Sequence, residues 1–215
     1  MKFVWYEDNW CYYVWKPSWI PTTFWKEKSF LEYMFEEKKH IVIQSLLKEF
    51  TQEDEYGLLN RLDNSTTGLL YFAKNKDIKK EYKELQKEWR VNKYYIAEVY
   101  WDIRYRIRDN WNVIEYPIAH HKFSKDRMVV VLPNTDSRKT DTRLHRVKTK
   151  ILECFYDEDK QITTLTIIIQ KWIRHQIRSH LSSIWYPIVW DEIYWKKKDP
   201  RKWDLQLFSI WLSVM

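Results

Sequence analysis

Two glycines in 215 residues, Gly57 and Gly68, leave this chain few places where the backbone can turn left-handed at low cost. Glycine ordinarily makes up about 7% of a protein. It supplies the positive φ angles and close backbone approaches that side-chain-bearing residues resist. Tryptophan is as plentiful as glycine is scarce, with 14 copies. Beyond two such places, any tight left-handed turn in this chain must hold a residue other than glycine.

The remaining bulk properties are ordinary. Apolar residues are 45% and charged residues 31% of the chain, a balance suited to a soluble fold with a sizeable core. No Pro/Gly/Ser-rich linker or internal repeat divides it, so one domain over residues 1–215 is expected. Thirty-seven basic against 30 acidic residues give a net charge of +7, compatible with a polyanionic partner. Cys11 and Cys154 are too few for a disulfide framework and point to a reducing compartment. No run approaches the 18 or so apolar residues of a membrane span. Glu7 and Asp8 fall where a signal peptide needs an apolar stretch. The expectation is a soluble cytoplasmic protein, monomeric by default.

Hydrophobic spacing predicts the elements. Tyr12–Lys16 reads as a strand ending at Pro17, and Phe30–Phe50 as helical, in one or two pieces. Leu69–Ala73 has strand length. Ile78, Tyr82 and Leu85 recur at helical spacing over Lys76–Glu88. Tyr94–Tyr100 and Met128–Leu132 read as strands. Thr142–Phe155 and Gln161–Gln170 flank a polar turn and predict a long hairpin. Arg174–Ile184 returns to helical spacing, and Leu205–Val214 supplies a last strand. Strands and helices without βαβ alternation predict an α+β fold with a mixed, largely antiparallel central sheet flanked by helices and loops.

Three segments carry chemistry. In Asn60-Arg61-Leu62-Asp63-Asn64-Ser65-Thr66-Thr67-Gly68-Leu69-Leu70 an aspartate precedes small hydroxyl residues and a glycine, a loop able to present a carboxylate; an Asx-type turn capping the loop is the plainer reading of these residues taken alone. In Lys171–Leu181, Arg174 and Arg178 stand four apart, which on a helix puts them on one face; a solvated basic face is the plain alternative. In Val91–Val99, strand alternation sets Lys93, Tyr95 and Ala97 on one face, where Tyr95 is either a core aromatic or a platform for a base. His175 and His180, five apart, make a poor metal pair, as do the adjacent His120 and His121, so no metal is expected.

In this order and spacing the segments resemble the RluA-type family of pseudouridine synthases. Arg61-Leu62-Asp63 with Thr67-Gly68-Leu69-Leu70, Lys93-x-Tyr95-x-Ala97, His175-Gln176-Ile177-Arg178-x-His180-Leu181, Lys16-Pro17 and Pro187–Tyr194 all match family motifs. The resemblance runs from about Tyr12 to Leu212 and covers the catalytic domain, without the N-terminal accessory RNA-binding domain of many relatives. Asn60, Ile173 and Phe208 replace residues common in the family. The resemblance implies an isomerase that turns uridine into pseudouridine in structured RNA, ribosomal or transfer, with no cofactor. Asp63 is implied as the catalytic carboxylate, Arg178 as the cation paired with it, and Tyr95 as the ring that stacks on the target base. Arg61, Leu62, Thr67, Gly68, Lys93, Arg174, His175, Gln176 and Ile177 are implied to contact substrate. The alternatives are an inactive RNA-binding or RNA-chaperone module on the same fold, and a metal-dependent nuclease built on Asp63, for which no cluster of carboxylates is visible.

The resemblance also sharpens the tryptophan anomaly. Trp19, Trp89, Trp101, Trp172, Trp185, Trp190 and Trp195 each stand where the family pattern has glycine. Counting every Trp as Gly gives 2 + 14 = 16 of 215 residues, the ordinary glycine fraction. A left-handed backbone costs a bulky residue roughly 1–2 kcal/mol. Seven such sites would consume much of the roughly 5–15 kcal/mol that stabilises a domain. Some bacteria read UGA as glycine, and decoding their genes with UGA as tryptophan would produce this sequence. A genuine aromatic surface for stacking RNA bases is the other reading.

Overall fold

The computed structural model describes residues 3–23, 28–108, 111–195 and 204–215. They form two compact units, one of Met1–Val91 with Ser209–Met215 and one of Asn92–Phe208. The fold is α+β, as the spacing predicts.

The first unit contains β1 (Trp5–Glu7), β2 (Cys11–Lys16), α1 (Phe30–Phe35), α2 (Ile41–Glu49), β3 (Thr67–Ala73) and α3 (Lys76–Lys87). Strand β2 pairs antiparallel with β1 and with β3, placing Lys16 opposite Gly68. The helices start where side chains can satisfy their free amides. Ser29 and Glu32 form a reciprocal capping box on α1, and Asn75 accepts from the Ile78 amide at 2.9 Å on α3. Phe30, Leu31, Met34, Ile43, Leu46, Leu70 and Phe72 are fully buried. Each such side chain contributes roughly 1.5–3 kcal/mol. Helix α3 ends with the Trp89 amide donating to Gln86 O at 3.3 Å and the Arg90 amide to Leu85 O at 2.9 Å.

The second unit contains most of β4 (Val91–Tyr100), then α4 (Arg104–Arg108), β5 (Val113–Ile114), β6 (Ile118–His120), β7 (Met128–Val130), β8 (Thr149–Asp157), β9 (Ile162–Ile169) and α5 (Gln176–Ser183). A last strand, β10 (Leu207–Val214), starts in this unit and passes into the first at Ser209. Strands β4, β9, β8 and β5 are neighbours in that order, each paired antiparallel. The expected alternation along β4 holds: Lys93, Tyr95, Ala97 and Val99 are buried, and the residues between them are half-exposed.

Two expectations need correction. The first arm of the hairpin begins at Thr149, not Thr142, because His145 is drawn away into paired backbone bonds with Ile118 at 2.8 and 2.9 Å. Helix α5 begins at Gln176, because His175 before it is left-handed (φ 54°). Arg174 therefore lies outside the helix and shares no helical face with Arg178. Among the described residues no helix is long and apolar enough to cross a membrane.

Candidate active site

The Asp63 loop is held from three sides within the first unit. Thr22 clamps Leu62 twice, its hydroxyl donating to Leu62 O at 2.8 Å and accepting from Leu62 N at 3.2 Å. The Asn60 amide acts as one more rung beside β3, giving a hydrogen bond to Leu69 O (3.1 Å) and taking one from Tyr71 N (2.8 Å). Asp63 opens a turn closed by the Thr66 amide on Asp63 O at 3.0 Å. The third hold is Lys16, fully buried. Its Nζ donates to Pro17 O at 2.8 Å, Ile20 O at 2.9 Å and Asn64 O at 3.2 Å, tying the end of β2 to the residue after Asp63. Burial pulls the Lys16 pKa down to about 7, while the negative charge of Asp63 pushes it back up. Gly68, the second residue of β3, has φ 136°, and a Cβ there would run into the backbone of Ser209. Thr67 is half-buried and Leu62 buried. Arg61 is exposed and ion-paired with Glu55.

The second unit holds a buried ion pair. Arg178 (Nε and a terminal nitrogen) donates to both oxygens of Asp191, each at 2.8 Å. The side chains are 3% and 0% exposed. Such a two-pronged contact is the strong form of a guanidinium–carboxylate bond. Asp191 also accepts from the amides of Ile193 and Tyr194 at 3.0 Å, so it stays where Arg178 needs it. Tyr194 pegs the assembly: its hydroxyl accepts from Met128 N at 2.9 Å, donates to Met128 O at 3.2 Å and lies 3.3 Å from His175 Nδ1. Burial, reinforced by the charges of Arg178 and Arg174, lowers the His175 pKa to about 3. Gln176 reaches back to Lys148 O and Thr149 Oγ1, and its carbonyl oxygen accepts from Ile173 N. His180, beneath the same helix, meets Thr149 Oγ1 and Tyr116 O, and burial takes its pKa to about 4.

Of the residues read from sequence, Arg61, Leu62, Asp63, Thr67 and Gly68 belong to the first unit. Lys93, Tyr95, Arg174, His175, Gln176, Ile177 and Arg178 belong to the second. Tyr95 and Lys93 are both buried, and burial lowers the Lys93 pKa to about 8. Ile177 is buried in α5. Arg174 is exposed and donates to Lys125 O at 2.8 Å. Four supporting residues had no role in the sequence reading: Lys16, Thr22, Asp191 and Tyr194. Lys16, Asp191 and Tyr194 lie in matched motifs, but their work depends on backbone contacts that spacing does not reveal.

A family model described as RNA pseudouridylate synthase matches residues 12–183. The ribosomal large subunit pseudouridine synthase D of Nitrosomonas europaea is 29% identical over 157 residues, 73% of this chain and 41% of its own length. The dual-specificity RNA pseudouridine synthase RluA of Vibrio cholerae is 27% identical over 137 residues, 64% of this chain and 50% of its own. The chain thus spans half or less of the length of these relatives. The solved structure of Human RNA Pseudouridylate Synthase Domain Containing 1 superposes with a TM-score of 0.72 at 18% identity, covering 99% of this chain and 78% of the other.

Proposed function

The chain belongs to the RNA pseudouridylate synthase family, and from that premise we propose that it is a single catalytic domain, 1–215, isomerising uridine to pseudouridine in structured RNA. Ribosomal RNA is the first candidate, because relatives such as that of Nitrosomonas europaea are named for the large ribosomal subunit; transfer RNA is the second. The observation that carries the reading is the Asp63 loop, fastened through Lys16, Thr22 and Asn60 at hydrogen-bond distance. A carboxylate that must meet one atom of a sugar or base gains from such preorganisation.

In this reading the bond from ribose to the base nitrogen breaks, the uracil turns, and a ring carbon joins the ribose. The reaction is redox-neutral and uses no cofactor. Asp63 is the catalytic carboxylate, as a nucleophile or as the group that helps expel uracil. Tyr95 is the ring under the target base, and Arg178 is the cation of the reaction. The uridine must leave its stack to react, so base flipping is part of the proposal. Arg61, Lys93 and Arg174 serve phosphates, which position RNA without reading sequence. Thr67 and Gly68 line the approach, while Leu62, His175, Gln176 and Ile177 shape the walls. The enzyme works as a cytoplasmic monomer.

The test is tritium release from RNA labelled at uridine carbon-5. Asp63→Asn should lose release by about three orders of magnitude or more while RNA affinity stays within a few-fold. A variant that keeps near-full release removes Asp63 from the mechanism.

A further inference from the structure

Nine described residues other than glycine hold a positive φ, and five of them are tryptophan: Trp19 (64°), Trp89 (63°), Trp101 (71°), Trp185 (71°) and Trp190 (62°). Tryptophan is 14 of 215 residues, so its share of this backbone region far exceeds its share of the chain. Both glycines lie there too, Gly57 at 84° and Gly68 at 136°. The left-handed region sets a Cβ against the following carbonyl oxygen, and bulky residues avoid it most.

Hydrogen bonds show which kind of turn these tryptophans occupy. At the end of α3 the Trp89 amide reaches Gln86 O and the Arg90 amide reaches Leu85 O. At the end of α5 the Trp185 amide reaches Ser182 O at 3.1 Å and the Tyr186 amide reaches Leu181 O at 3.0 Å. Counted from the cap residues Glu88 and Ile184, both are the paired closing bonds of a Schellman motif. Its left-handed position, just past the cap, is the one glycine usually takes. Trp190 is the third residue of a turn closed by Asp191 N on Ile188 O at 3.2 Å. A positive φ at that place in a type II turn calls for glycine or asparagine. Trp19 sits in the turn whose Pro17 and Ile20 carbonyls hold the Lys16 ammonium. Burial does not offset the strain, since Trp185 is 80% exposed and Trp19, Trp89 and Trp101 are 43–46% exposed. Trp172 and Trp195, also at family glycine places, lie outside the left-handed region, and Trp25 and Trp203 lie outside the described residues.

We infer that the natural protein carries glycine at positions 19, 89, 101, 185 and 190, and that the tryptophans written there come from UGA codons which the source cell reads as glycine. Two of these glycines shape turns described above, each within its own unit: the turn around Lys16 in the first, and the turn that delivers Asp191 to Arg178 in the second.

The first test is the gene. All five codons should be UGA, and a UGG at Trp89 or Trp185 overturns the inference. The second is peptide mass spectrometry of the protein isolated from the cells that carry the gene. Peptides spanning 89 and 185 should have the mass for glycine, and the tryptophan mass overturns it. The third compares the chain as written with a variant carrying glycine at the five positions in thermal unfolding. The glycine chain should melt higher, the folding equilibrium gaining about five- to thirtyfold per site. An equal or lower melting temperature counts against the inference. Aggregation of the tryptophan chain alone supports it.

Discussion

At the scale of single residues, two buried cations do different work. Lys16 is a clamp: its three carbonyl partners belong to two chain segments 48 residues apart at the farthest bond. Lys16→Met would keep the volume and remove the donors, leaving the Pro17, Ile20 and Asn64 carbonyls short of a partner. The expected cost is about 2 kcal/mol, read by urea unfolding, with kcat falling at least tenfold and KM moving less. Unchanged stability and rate would show that the clamp is idle. Arg178 is a counter-ion. Arg178→Ala strands a fully buried Asp191, which should cost about 3–5 kcal/mol. The double variant Arg178→Met, Asp191→Leu should recover much of that stability without recovering activity. Arg178 stood out in the sequence because it belongs to a basic motif. Its partner, 13 residues on, did not: no periodicity connects a helix to a turn beyond its end.

At the scale of elements, starts and ends were legible wherever one local rule governs them. The apolar spacing predicts α3 over Lys76–Glu88, and the helix runs Lys76–Lys87 with Glu88 as its cap residue. Burial alternation in β4 follows the same two-residue logic. The illegible parts answer to distant backbone. Helix α5 is delayed because His175 turns left-handed, and β8 starts late because His145 bonds Ile118. Gly68 shows such a constraint sharply, since only the neighbouring strand explains why a side chain is refused there. Gly68→Ala should push β3 away from Ser209 and lower the melting temperature by several degrees, about 2–3 kcal/mol in stability. An unshifted melt would mean the strands accommodate the methyl.

At the scale of the whole molecule, buried bases set the response to pH. His175 and His180 have folded pKa values of about 3 and 4, against 6.5 for the exposed group. The unfolded chain binds more protons below pH 6.5, so their stability is present above 6.5 and lost as pH falls toward 4, about 2 kcal/mol each at pH 5. Lys16 and Lys93, lowered to about 7 and 8 from 10.5, extend the rise above neutrality. Cys11, raised by burial from 9.0 to about 12, works in the opposite sense and removes stability above pH 9. Urea midpoints should therefore climb from pH 4 through neutrality and past pH 9, where the two lysines outweigh the one cysteine, to a maximum at about pH 10, and His180→Asn should flatten the acid limb. A maximum below pH 6 would contradict this. The division of the chain has a consequence for its synthesis. The first unit is interrupted after Val91 and completed only by Ser209–Met215. During translation those first 91 residues lack that last stretch while the intervening 117 are made, so the second unit is complete in sequence before the first. Nascent chains stalled before Ser209 should thus be cut by protease in the older segment while the younger one resists, an inversion of the usual amino-terminal-first order.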